Sequence, residues 1–214
     1  MNRIKSITIT LFLIAALVGV VTNQQALDRY ETSLQVLTQT LDLSVLDSCG
    51  IITDGQSHGS CVAIGPDLIL TAGHCIGHEG SWIEIGGQKY DILEQWASDQ
   101  YDVEFVRIDG QVPYLELGEM PQLLDTVYIV GAPDSTTLVN TITTGIVGRL
   151  NTDYTYWQDS IVCDVFSWPG NSGGPLFNAN GQIIGLLVGG PDSLSLCEPI
   201  THILEALEEY NATN

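Results

Sequence analysis

The chain has 214 residues, 44% of them hydrophobic and 15% charged, a length that suits one domain, or two small lobes sharing a cleft, plus any leader. It excludes a large multidomain machine and a disulfide-stapled miniprotein. Six Lys and Arg against 26 Asp and Glu give a net charge of −20, which keeps a domain soluble and repels phosphate backbones, so no nucleic-acid partner is expected.

Residues 1–22 differ from the rest. Arg3 and Lys5 precede an apolar run from Ile7 to Val21 broken only by Thr8 and Thr10, and no acidic residue comes before Asp28. A positive start followed by such a run is the pattern of a secretory signal. No small-residue cleavage site follows Val21. Residues 7–21 therefore read either as a cleaved signal or as a membrane tether, short for a hydrocarbon core of roughly 30 Å. Both readings export the remainder, as a secreted, periplasmic or membrane-anchored protein.

In residues 23–48, Leu27, Tyr30, Leu34, Leu37 and Leu41 recur at a 3-4-3-4 spacing and fall on one helical stripe. The segment is a helical stalk, linker or propeptide. Self-association through residues 27–41 is one reading, but two heptads are few, and an amphipathic helix lying on its own domain is favoured.

From Cys49 the texture changes to short β-prone runs. Candidate strands are Val62–Ile64, Leu68–Thr71, Trp82–Ile85, Tyr90–Trp96, Val103–Ile108, Val127–Val130, Ile142–Leu150, Ile161–Val165 and Gln182–Val188. Turn residues separate them, among them Gly65-Pro66-Asp67 and Asn178-Ala179-Asn180-Gly181. Many short strands with no helix between them predict an antiparallel barrel or sandwich. One helix is predicted at the end, over 201–210, capped by Thr201 and with Ile203, Leu204 and Leu207 as its apolar side.

Three segments carry chemistry: Thr71-Ala72-Gly73-His74-Cys75, Tyr101-Asp102-Val103-Glu104-Phe105-Val106-Arg107 and Gly170-Asn171-Ser172-Gly173-Gly174-Pro175-Leu176. A serine hydroxyl is a weak nucleophile at neutral pH. It needs a base within hydrogen-bond reach, and the base needs a partner that fixes its tautomer. Histidine suits the base and a carboxylate suits the orienter. Glycines beside the serine let backbone N–H groups turn toward a developing oxyanion. His58, His78 and His202 lack a comparable motif and are read as solvent-facing. No cluster has metal-ligand spacing, and no metal is expected.

In this order the segments resemble the trypsin-like (chymotrypsin-fold) serine proteases, and most of all their HtrA-like bacterial members, which carry Pro-Gly-Asn-Ser-Gly-Gly-Pro. The resemblance spans roughly residues 50–210. It implies His74 as general base, Asp102 as its orienter and Ser172 as nucleophile, with an oxyanion hole from the N–H groups of Gly170 and Ser172. Asp91, Asp99 and Asp109 lie nearby, but only Asp102 heads a β-prone run of the family's kind. Asn171 stands where trypsin-type zymogens carry the acidic residue that pairs with a freed terminus, which argues against that mode of activation. The same alignment puts Val188, Gly189 and Gly190 beside the bound peptide, Phe166 and Ser167 at the base of the specificity pocket, and Leu187 where glutamyl endopeptidases have a histidine. Cleavage after Lys, Arg or Glu is thereby disfavoured, leaving a small or medium apolar residue before the scissile bond. The reaction needs no cofactor.

Five cysteines in an exported chain predict two bridges and one left over. A pair like Cys61 and Cys75 is bridged in many relatives. Cys163–Cys197 is the second candidate, a bridge that would stiffen the pocket. Four cysteines allow three pairings, so the connectivity stays open. Cys49 is then free to join two copies.

The expected fold is all-β, with two antiparallel six-stranded chymotrypsin-like barrels over 49–118 and 119–200 and a C-terminal helix, together forming a domain over 49–214. The expected function is that of an exported serine endopeptidase acting on peptides or proteins. The alternatives are a catalytically silent binding module of the same fold, or an anchoring protein whose function sits in residues 7–48.

Overall fold

A computed structural model describes residues 41–75, 80–153, 158–191 and 193–213. The leader, the stalk up to residue 40 and His78 lie outside the described residues, and with them the predicted tether and leucine stripe.

Among the described residues, twelve strands close into two six-stranded antiparallel barrels. The first contains β1 (Cys49–Thr53), β2 (His58–Ala63), β3 (Leu68–Thr71), β4 (Trp82–Ile85), β5 (Gln88–Ala97) and β6 (Glu104–Ile108), paired around the ring as β1-β2-β3-β6-β5-β4. The second contains β7 (Thr126–Gly131), β8 (Thr141–Arg149), β9 (Ile161–Cys163), β10 (Pro175–Phe177), β11 (Ile183–Gly189) and β12 (Ser195–Pro199), in the order β10-β11-β12-β9-β8-β7. Helix α1 (Ile200–Thr213) follows β12 directly. Closure leaves neither sheet a free edge.

Each barrel has its own apolar interior. Ile52, Ile69, Ile83 and Val106 fill the first, and Val127, Ile129, Ile161 and Leu176 fill the second. A third cluster lies between the barrels and under α1. It joins Val62, Leu70 and Phe105 of the first barrel to Val130, Phe177 and Leu186 of the second. The helix docks on this seam through Ile200, Ile203, Ala206 and Tyr210, whereas Leu204, expected on its apolar side, is exposed. Tyr210 meets Phe105 at 5.4 Å and Trp96 at 5.9 Å between ring centroids.

The compact unit begins at Leu41, ahead of the expected boundary at 49. Leu41 and Val45 join the shared core, and Leu43–Ser48 forms a 3-10 helix capped by Asp42, whose carboxylate accepts from the Ser44 N–H at 3.0 Å. The end of the predicted stalk is therefore part of the domain.

All five cysteines are free thiols. The expected Cys61–Cys75 bridge is not formed. Cys61 points into the first barrel, and the Cys75 thiol instead donates to the Ser172 carbonyl at 3.5 Å. Cys163 faces Ser195 while Cys197 faces Ile161, so the second expected pair is a diagonal one. These two thiols interact by a hydrogen bond that, with burial, raises Cys197. Cys49, expected to reach a second copy, is only 2% exposed and gives its thiol hydrogen to the Val45 carbonyl.

Candidate active site

His74, the expected base, comes from the turn after β3. Thr71 ends that strand with its hydroxyl donating to the Ser60 carbonyl at 2.8 Å. Ala72 is fully buried, and the Cys75 N–H returns to the Ala72 carbonyl at 2.9 Å. This short 3-10 turn, Gly73–Cys75, holds the His74 side chain at the mouth between the barrels. The carboxylate comes from the β5–β6 loop. One Asp102 oxygen, Oδ1, accepts the His74 backbone N–H at 2.9 Å, and Oδ2 lies 2.6 Å from His74 Nδ1. An ionised carboxylate has no hydrogen to give, so Nδ1 carries a proton, and in the neutral ring Nε2 keeps its lone pair.

Ser172, the expected nucleophile, comes from the loop between β9 and β10, in the second barrel. The Ser60 N–H donates to the Ser172 carbonyl at 2.7 Å across the seam. Two glycines are required here. Gly170 has φ +100, and a Cβ would lie 2.4 Å from the Ala132 carbonyl oxygen and 2.5 Å from His58 Nε2. Gly173 has φ +83, and a Cβ would lie 2.2 Å from the Ser60 carbonyl oxygen. Ser172, His74 and Gly170 line one cleft of about 310 Å3, together with His58, Gly59 and Cys75.

The Gly170 amide is oriented from outside the loop. The Pro169 carbonyl accepts the Asp134 N–H at 2.8 Å. In a trans peptide the C=O and the following N–H point in opposite directions, so this bond fixes the aim of the Gly170 N–H. The next carbonyl, that of Gly170, accepts from Ser60 Oγ at 2.7 Å. Among the described residues, neither the Gly170 N–H nor the Ser172 N–H donates to a backbone carbonyl. Both amides of the expected oxyanion hole are thus uncommitted to the backbone.

The carboxylate of Asp102, by its hydrogen bond, and the neighbouring Cys75 hold His74 above the ordinary value of 6.5, up to about 10, with burial opposing. A general base must be neutral, so the raised value places its working form on the alkaline side. We expect kcat/KM to keep rising from neutral pH toward about pH 10. A pH profile checks this, and a plateau already reached at 6.5 would contradict it.

Other expected site residues have different surroundings. Phe166 is 55% exposed with its ring stacked on Trp168 at 6.3 Å, so it stands at a rim and not at a pocket floor. Ser167 Oγ lies 2.9 Å from Ser195 Oγ, whose own hydrogen goes to the Val165 carbonyl at 2.7 Å. Leu187 turns into the second barrel and Val188 into the shared core, both buried. Gly189 and Gly190, partly buried and exposed, remain at the surface. His58 and His202 are not solvent-facing. His58 Nε2 lies 2.7 Å from the Ala132 carbonyl, and the His202 side chain is only 15% exposed. Ser60 was not singled out by the sequence, and a lone serine on a strand gives no signal of its partner 110 residues away.

A family model described as "Trypsin-like peptidase domain" matches residues 59–186. Serine protease HTRA1A of Danio rerio is 31% identical over 143 residues, covering 60% of this chain and 29% of that protein. A probable periplasmic serine endoprotease DegP-like of Chlamydia pneumoniae is 33% identical over 138 residues, covering 60% and 28%. The chain thus spans less than a third of the length of these curated relatives. Among solved structures, Rv3671c from M. tuberculosis H37Rv superposes with a TM-score of 0.70 at 18% identity, covering 84% of this chain and 94% of that one. The similarity to that structure is one of fold.

Proposed function

The chain belongs to the trypsin-like peptidase family, and from that premise we propose that it is an endopeptidase in which His74, Asp102 and Ser172 hydrolyse peptide bonds through an acyl-enzyme. The observation that carries this reading is the 2.6 Å contact between His74 Nδ1 and Asp102 beside a cleft that His74 shares with Ser172.

In the proposed reaction, Ser172 Oγ attacks the scissile carbonyl as His74 Nε2 takes its proton. The oxyanion is received by the N–H groups of Gly170 and Ser172. The tetrahedral intermediate collapses as His74 hands the proton to the leaving amine. Water, deprotonated by the same imidazole, then attacks the ester and releases the acid, and Ser172 recovers its proton. Asp102 stays ionised throughout and stabilises the imidazolium.

The substrate is a peptide or protein. No acidic residue lies at Phe166 or Ser167 to hold a basic side chain, and Phe166 and Trp168 give the rim an apolar character. Both features favour an apolar residue before the scissile bond. The positive start and apolar run of residues 3–21 support export.

A fluorophosphonate probe tests the reading, because it needs an activated serine and no knowledge of the substrate. The full chain is expected to be labelled at Ser172, and Ser172→Ala and His74→Ala to stay unlabelled. A folded wild-type chain that fails to react would overturn the proposal and leave the silent binding module.

A further inference from the structure

Behind Asp102 lies a polar cluster that the reaction above does not use. Glu198, on β12, is 4% exposed, a rare state for a carboxylate without partners. It has two. Oε2 lies 2.6 Å from His202 Nδ1, one turn along α1, and Oε1 accepts the backbone N–H of Asp102 at 3.4 Å. The first contact fixes the carboxylate, and the second makes it a support for the residue that orients the base.

The rest of the loop is held by the same helix. The Tyr101 ring stacks on His202, with centroids 4.2 Å apart and planes 18° from parallel, and its hydroxyl donates to Glu205. Gln100 Nε2 donates to Glu209 Oε1 at 2.9 Å. Three consecutive loop residues, 100 to 102, are therefore tied to β12 and α1. The helix is anchored on its other side by Ile203, Ala206 and Tyr210 in the shared core. Within the loop itself the ties are short-range, from Ser98 to Tyr101 and Val103. They shape the turn and do not fix where it sits.

We infer that Glu198 and His202 are positioning residues for Asp102, and that α1 is the buttress setting the height of the carboxylate beneath His74. Glu198 touches neither substrate nor the reacting atoms. It acts through the Asp102 backbone, and His202 acts through Glu198. The inference rests on the reading of Asp102 as the orienter of the base. Misplacing an orienter by about 1 Å is enough to cost about 100-fold in rate.

The experiment measures kcat and KM separately for full-chain wild type, Glu198→Ala and Glu198→Gln, with the folded fraction followed by circular dichroism. Glu198→Ala is expected to lose about 100-fold in kcat with KM unchanged, because the cleft that binds peptide is intact. In Glu198→Gln the amide oxygen still accepts the Asp102 N–H and the side chain keeps its volume, so most of the loss is restored. A merely structural role gives no such split and no such rescue. Wild-type kcat in folded Glu198→Ala, or a KM that rises in step with the fall, would overturn the inference. If Glu198→Ala does not fold, Glu205→Ala decides, since Glu205 is exposed and removing it frees the Tyr101 hydroxyl. A lowered kcat at constant KM supports the buttress, and an unchanged kcat overturns it. A wild type that turns over and takes the fluorophosphonate beside an unaffected Glu198→Ala sinks only this inference, whereas an inert wild type takes the catalytic reading with it.

Discussion

Replacing Asp102 with Asn is expected to lower kcat by about 10,000-fold, the loss that removal of the carboxylate's charge brings in serine proteases generally. The geometry explains why so conservative a change is so costly. The Asn side-chain oxygen can still accept the His74 backbone N–H, as Oδ1 does now at 2.9 Å. Its amide nitrogen would face Nδ1, where Oδ2 sits now. An NH2 group there donates, so Nδ1 must become the acceptor and the ring proton moves to Nε2, the atom that should receive the serine proton. The residual activity carries a second signature. Without the carboxylate the imidazole falls from about 10 toward 6.5, so the rising limb of the pH profile moves to lower pH. Steady-state kinetics across pH checks both parts. Near-normal kcat, or a limb that stays in place, would remove Asp102 from its role.

The second large effect concerns stability. Glu104, two residues beyond Asp102, is 1% exposed, and among the described residues its Oε2 has no hydrogen-bond partner. Burial raises its carboxyl from 4.5 to about 7, with a hydrogen bond from Gln95 opposing in part. The folded chain thus holds this proton more tightly than the unfolded one. The favourable contribution is complete below pH 4.5 and is lost as pH rises through about 7. Above that range the folded protein carries a buried charge costing about 3 kcal/mol relative to the neutral acid. Glu104→Gln keeps the shape and cannot ionise, although its extra N–H hydrogens need partners of their own. It should therefore stabilise the protein by about 2 kcal/mol at pH 8 and leave it near wild type at pH 4. Denaturant midpoints at the two pH values test this. No gain at pH 8 would mean that the carboxylate finds water or a partner.

His74, Asp102 and Ser172 stand out in the sequence because each sits in a self-contained local motif: Gly73 before His74, the β-prone run after Asp102, the glycines around Ser172. The strands missed have equally local causes. β1, Cys-Gly-Ile-Ile-Thr, is buried on both faces and has no alternation to detect. β10 is three residues starting with proline. β12 carries Ser, Glu and Pro yet is wholly buried, because its serine and glutamate are satisfied by partners far along the chain. Of the apolar side expected for α1, Ile203 is buried and Leu207 packs partly buried on the shared core, while Leu204 is exposed. The contacts that hydrophobicity alone does not suggest are those of Ala206, small enough to let the backbone approach, and Tyr210, whose ring joins Trp96 and Phe105. Ser60, Asp134 and Glu198 were illegible for a common reason. Each acts on the site through hydrogen bonds whose other ends are known only once the barrels have closed.

The core shared between the barrels also bears on what a damaged molecule looks like. Its residues come from both barrels and from the helix, so exposing one barrel's seam strips the other of its cover. His74 and Ser172 come from opposite halves, and a change in the seam disturbs both. A destabilising change in this seam should therefore lower the number of titratable active sites while each surviving site turns over at the normal rate. Loss of function through the seam is a matter of census, and loss through the catalytic loops a matter of speed.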